Sequence, residues 1–248
     1  SIVDYYIEKN DPIKALQVVE YAVSQHPFVA IFFIKQAQLF LITNQIDRAF
    51  AALRKAEILE PSEADVYSIK GAIFEGLERY QEALESYEKA LALAENTDDI
   101  LLSIAGVHQQ LDDYEAAVKY LKLCLQQNME NHDALYELAF CYDVLDKQDE
   151  SIQFYTQYID NEPYSYAAWY NLGNAYNKLD LYEKAIDAYD YAILIKDNFA
   201  SAYFNKGNVL VRLDRYEEAI EVYKHTFEYE PPSADTYCAI GECYEKLE

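Results

Sequence analysis

Residues 166–199 read YAAWYNLGNAYNKLDLYEKAIDAYDYAILIKDNF, and this stretch decides the fold. Its first half carries Trp169, Leu172, Gly173 and Tyr176 at i, i+3, i+4 and i+7, the spacing of one helix face. Its second half carries Ala185, Tyr189 and Ala192 at i, i+4 and i+7, a second such face. Leu179 and Asp180 mark the break between them. The stretch therefore predicts a helix–turn–helix, and a unit this small cannot bury its apolar faces alone.

The same pattern continues in both directions without insertion. Trp169 lies 34 residues from Leu135 and from Tyr203, and its column runs on through Leu101, Tyr67 and Phe33 and to Tyr237. A column of small residues reads Ala37, Gly71, Ala105, Ala139, Gly173, Gly207 and Gly241. Large rings recur at Tyr6, Phe40, Phe74, Tyr142, Tyr176 and Tyr244, with His108 and Leu210 as exceptions. In the second helix, Ala15, Ala49, Ala83, Ala117, Ser151, Ala185 and Ala219 form one column. Val19, Leu53, Tyr87, Leu121, Tyr155, Tyr189 and Tyr223 form another. Small residues let two helices approach, and the rings fill the space beside them. Pro27, Pro61, Pro163 and Pro231 end the second helix, because the residue before a proline avoids the α conformation. Stacked neighbours then complete one continuous core.

These columns resemble the tetratricopeptide repeat, a 34-residue family pattern. The match is best in the unit opening at Tyr166 and nearly as good in the one opening at Ala200. It is weakest in the unit opening at Asp98, where His108 fills the aromatic slot. The resemblance implies an all-α, right-handed superhelical solenoid of helix–turn–helix repeats and a single array over residues 1–248. Full repeats are expected at 30–63, 64–97, 98–131, 132–165, 166–199 and 200–233, with partial ones at 1–29 and 234–248. Because the array opens and closes inside repeats, without a polar capping helix, it reads as a fragment of a longer protein. The resemblance also implies a protein that binds other proteins or peptides and catalyses nothing by itself.

Composition agrees with helices. Apolar residues make up 52% of the 248, and Gly and Pro number only six each, too few for an all-β chain of this length. The net charge of −24 repels phosphate backbones and anionic membranes, which argues against nucleic acid and membrane partners. No apolar run is long enough for a transmembrane helix. Cys124, Cys141, Cys238 and Cys243 lack zinc spacing and read as buried free thiols in a reducing, cytoplasmic compartment.

No chemistry is legible. The chain holds no phosphate loop, no zinc-protease motif, no nucleophile elbow and no calcium loop. The four histidines include no i, i+4 pair, and His108 reads as a buried, hydrogen-bonded core residue. No catalytic residue, metal site or cofactor is expected.

In tetratricopeptide arrays the first helix of each unit lines the concave face. Its second, fifth, sixth, ninth, twelfth and thirteenth positions are not committed to packing. The sixth and ninth positions of two units are Asn171, Asn174, Asn205 and Asn208, resembling the asparagine ladder of some family members. Such amides can pair with both N–H and C=O of an extended peptide. Asparagine is also common at both positions across the family, which leaves a structural reading open. Tyr136, Tyr170 and Phe204 at the fifth position are candidate aromatic anchors, while Phe140 reads rather as packing between repeats. Residues 64–165 hold 21 acidic and 6 basic side chains, a net of −15. Asp133, Glu137 and Asp143 are the groove acids singled out there, and they suit a basic extended segment. The lysines with which some family members clamp an acidic EEVD tail are missing: Asp65, Asp99 and Asp133 stand at second positions and Tyr136, Tyr170 and Phe204 at fifth. Self-association into a homo-oligomer and a regulatory arm of a larger enzyme are the competing readings.

Overall fold

The computed structural model describes residues 2–231 and 233–248; Ser1 and Pro232 lie outside the described residues. These residues form fifteen α-helices and no strand. First helices are α1 (Ile2–Glu8), α3 (Ala30–Ile42), α5 (Ala64–Gly76), α7 (Asp98–Gln110), α9 (His132–Val144), α11 (Tyr166–Lys178), α13 (Ala200–Arg212) and α15 (Ala234–Leu247). Second helices are α2 (Pro12–Gln25), α4 (Ile46–Leu59), α6 (Tyr80–Leu93), α8 (Tyr114–Gln127), α10 (Gln148–Asn161), α12 (Tyr182–Ile195) and α14 (Tyr216–Tyr229). Two compact units divide the chain: residues 1–127 with α1–α8, and residues 128–248 with α9–α15. Each is a stretch of all-α repeat solenoid.

The turn inside each repeat is built the same way. Asn10, Asn44, Glu78, Asp112, Asp146, Asp180 and Asp214, spaced 34 apart, all have φ between 53° and 58°. At Asn44, the residue's N–H donates to Leu41 O and the next N–H, of Gln45, donates back to Phe40 O. The pair of bonds closes the first helix in a Schellman motif and satisfies its last carbonyls. Asn and Asp tolerate the left-handed conformation, whereas Glu78 is a strained choice there.

The small-residue column has a direct steric cause. A Cβ on Gly71 would sit 2.6 Å from the Tyr87 ring, on Gly173 2.6 Å from Tyr189, and on Gly207 2.4 Å from Tyr223. Where Leu53 and Leu121 replace the tyrosine, the facing residues are Ala37 and Ala105, all fully buried.

Two sequence expectations change. Cys124, Cys141 and Cys243 are buried free thiols, but Cys238 is exposed, because it takes the groove-facing fifth position of α15. The His108 ring stacks on Tyr120 at 5.4 Å. Its buried Nδ1 lies 3.5 Å from an Asp113 carboxylate oxygen yet makes no hydrogen bond.

Candidate peptide-binding cleft

In the 128–248 unit, the first helices α9, α11 and α13 line a cleft of about 370 Å³. Tyr136 and Asp143 come from α9, Tyr170, Asn171 and Asn174 from α11, and Asn205 and Asn208 from α13. Phe204 lines an adjoining cleft of about 270 Å³ that shares Tyr170 and Asn205 with the first. Asp133 and Glu137 are exposed on α9 and line neither.

The amides are oriented by tyrosines of the second helices. The Tyr189 hydroxyl donates to Asn174 Oδ1 at 2.8 Å. Asn205 Nδ2 donates to the same oxygen and to the Tyr170 hydroxyl, both at 3.0 Å. One repeat further on, the Tyr223 hydroxyl donates to Asn208 Oδ1 at 2.7 Å. Holding the amide oxygens in this way turns the NH2 groups of Asn174 and Asn208 away from those tyrosines. Burial pushes the Tyr189 and Tyr223 hydroxyls well above the ordinary tyrosine range, so both stay neutral donors. Burial also pushes Tyr136 up to about 12. Tyr170 is raised by burial too, against the opposing hydrogen bonds from Asn174 and Asn205.

Asn171 departs from the sequence expectation. It is only 2% exposed, and its Nδ2 donates to Leu135 O at 3.2 Å and to the Tyr155 hydroxyl at 3.4 Å. That hydroxyl itself donates to Leu135 O at 2.7 Å. The sixth position here turns toward the preceding first helix, so Asn171 joins α9 to α11 from inside and is no free surface amide. Asp143 departs as well. Its carboxylate already accepts from Lys178 Nζ at 3.0 Å and from Gln148 Nε2 at 3.1 Å, so it is paired within the cleft.

Phe140, Asn177 and Lys178 are among the lining residues that were not sequence candidates. Phe140, expected to pack between repeats, is 52% exposed and lines the cleft. Asn177 and Lys178 line it too. They occupy the twelfth and thirteenth positions already assigned to the groove, so the register itself is the signal that could have found them. Tyr136 and Tyr170 meet edge to face at 6.4 Å and form one aromatic wall. The arrangement offers hydrogen bonds and ring contacts. Among the described residues no group of three or more His, Cys, Asp or Glu could hold a metal ion. No described helix is long and apolar enough to cross a membrane.

The 1–127 unit has a counterpart cleft, also about 370 Å³, between α3, α5 and α7. Asp65, Asp98, Asp99, Ser68 and Ser103 line it. There the Tyr87 hydroxyl donates to Glu75 Oε2 at 2.8 Å, since the ninth position is Ala72 and offers no acceptor.

Family models described as tetratricopeptide repeat match residues 64–97 and 166–199, 98–128 and 200–232, and 133–165. Among curated proteins, none matches the chain in sequence. Solved structures do match. The C-terminal part of a TPR repeat-containing protein from Cytophaga hutchinsonii superposes with a TM-score of 0.69 at 13% identity, over 96% of this chain and 98% of that one. YrrB, described as a TPR protein with an unusual peptide-binding site, has a TM-score of 0.52 at 27% identity, over 74% of this chain and 95% of its own. The APC/C hetero-tetramer Cut9–Hcn1 has a TM-score of 0.54 at 20% identity; the match covers 97% of this chain and 48% of that chain.

Proposed function

We propose, because this chain belongs to the tetratricopeptide repeat family, that it is a protein-interaction scaffold whose 128–248 cleft holds an extended segment of a partner protein. The observation that carries this is the amide row. Asn174 on α11 and Asn205 and Asn208 on α13, the next first helix, are fixed by tyrosines beside the rings of Tyr136, Phe140 and Tyr170. Amides at repeat spacing suit a peptide backbone, and the rings suit its side chains. The peptide-binding site named for YrrB, 27% identical, supports the same use of this fold. Asp133 and Glu137 on the exposed flank of α9 favour a segment with basic residues. Asp143 contributes less, being paired with Lys178. The buried thiols fit a reducing, cytoplasmic compartment.

The test is an array of overlapping peptides probed with the wild-type chain and with Asn174→Ala/Asn208→Ala. The double variant should lose about thirtyfold in affinity for every bound peptide, since each of the two backbone hydrogen bonds is worth about 1 kcal/mol. Asp133→Asn/Glu137→Gln should mainly flatten the salt dependence. Binding that survives the double alanine variant unchanged would refute the cleft. A dimeric mass by light scattering with no peptide captured would favour self-association.

A further inference from the structure

A second, separate cleft lies on the outer seam of the 128–248 unit, where α10, α11 and α12 meet. At two other seams, α4–α5 and α12–α13, a lysine at the seventh position of the first helix bridges to a carboxylate on the preceding second helix. Lys70 reaches Glu57 at 2.6 Å, and Lys206 reaches Asp190 at 2.5 Å; the two lysines are only 18% and 19% exposed. At the α10–α11 seam the seventh position is Leu172. The positions equivalent to Asp190 and Glu57 are Thr156 and Ile159. No bridge closes this seam, and a cleft of about 280 Å³ remains, walled by Ile159, Leu172, Trp169 and Tyr176.

The cleft is preformed. Trp169 Nε1 donates to Pro163 O at 2.9 Å, and the indole stacks on Tyr191 at 4.4 Å, which fixes the ring. Among the equivalent side chains, Tyr67 and Leu101 are each 4% exposed and Leu135 is fully buried, whereas Trp169 is half-buried, as is Tyr203, and Tyr237 is exposed. Trp169, Leu172 and Tyr176 form a different stripe of α11 from Tyr170, Asn174 and Lys178, and the two clefts share no lining residue. At the rim, Lys184 leans over the Tyr176 ring at 5.5 Å. Asp160 and Asp187 are exposed and have no ion pair among the described residues.

We propose that this seam binds a protein segment presenting one bulky apolar side chain flanked by Arg or Lys. The apolar residue fills the slot against Trp169, Leu172 and Ile159, and the cations meet Asp160 and Asp187. The same two carboxylates disfavour an anionic ligand.

Trp169 is the only tryptophan in the chain, so its fluorescence reports on this slot directly. The probe is the Trp-free peptide acetyl-Gly-Arg-Leu-Phe-Arg-Gly-amide, with a control in which Ser-Ser replaces Leu-Phe. Thr156→Asp/Leu172→Lys rebuilds the bridge seen at Asp190–Lys206 and closes the slot. Asp160→Asn/Asp187→Asn leaves the slot open and removes its charge. The inference expects a saturable fluorescence change with the probe and not the control, weakened about tenfold or more by the first variant. The second variant should weaken it several-fold at low salt and little at high salt. If circular dichroism shows the first variant unfolded, the second variant decides: probe affinity equal to wild type at low salt overturns the proposal. No saturable change with the wild-type chain would overturn it too, as would equal affinity in a folded first variant. So would a loss produced instead by Asn174→Ala, which would move the probe to the other cleft.

Discussion

The clefts of the two units have the same size, about 370 Å³ each, and use the same fifth, sixth, ninth and twelfth positions of their first helices. Their chemistry differs. The 1–127 cleft presents Ser68, Ser103 and the carboxylates of Asp65, Asp98 and Asp99. The 128–248 cleft presents rings, three oriented amides and a lysine–aspartate pair. Positions that touch the neighbouring helix are constrained by sterics in both units. Positions that face the cleft are free to vary, and their variation is what separates the chemistry of one cleft from that of the other.

If packing follows one rule in both units, equivalent glycine substitutions must behave alike. Gly71→Ala and Gly207→Ala each push a Cβ into a tyrosine ring, at 2.6 and 2.4 Å, and should each cost about 1–3 kcal/mol in chemical denaturation. Gly106→Ala meets nothing within 4 Å and should instead stabilise by about 0.5–1 kcal/mol. A Gly71→Ala variant as stable as wild type would break the shared rule.

The turns sharpen the contrast next. The 128–248 unit uses Asp146, Asp180 and Asp214 at its left-handed positions, while the 1–127 unit has Glu78 at φ 58°. Glu78→Asn should raise stability by about 0.5–1 kcal/mol, and Asp180→Glu should lower it by a similar amount. Hydrogen exchange would localise each effect to its own repeat.

The smallest effect concerns the polar seam. The hydrogen bond from Lys70 chiefly, and that from Tyr67, hold the Glu57 carboxyl below its ordinary range against the cost of burial. A carboxyl lowered on folding stabilises above its unfolded value, and that contribution fades as pH falls through the folded value. Glu57→Gln should therefore cost under about 1 kcal/mol at neutral pH, and the difference from wild type should shrink on acidification. Among the described residues, the Leu172 seam has no such lysine–carboxylate bridge. Leu172→Met should show a pH-independent difference across the same range.

Much of the fold was legible from periodicity. Seven first helices begin at 34-residue steps from Ala30 to Ala234, and the same spacing was readable in the columns of small and bulky residues. The candidate cleft was legible in part. Register placed Tyr136, Tyr170, Asn174, Asn205 and Asn208 on one face. It could not show that Asn171 turns inward or that Lys178 reaches Asp143, because both depend on a neighbouring helix 34 or more residues away. Phe140 differs from its expected place for the same reason: a ring at the ninth position can fill a seam or face the cleft, and only the adjacent helix decides.

By itself, the amino-acid sequence determined the repeat, the helix pairs, the breaks between them and the residue sizes at each helix contact. These follow from local spacing and from volumes that recur in unit after unit. The tertiary structure alone decided which polar atoms are spent internally and which remain for a partner. Hydrogen bonds such as Tyr189 to Asn174 and Asn205 to Tyr170 join side chains from separate helices, and their directions exist only once those helices have stacked.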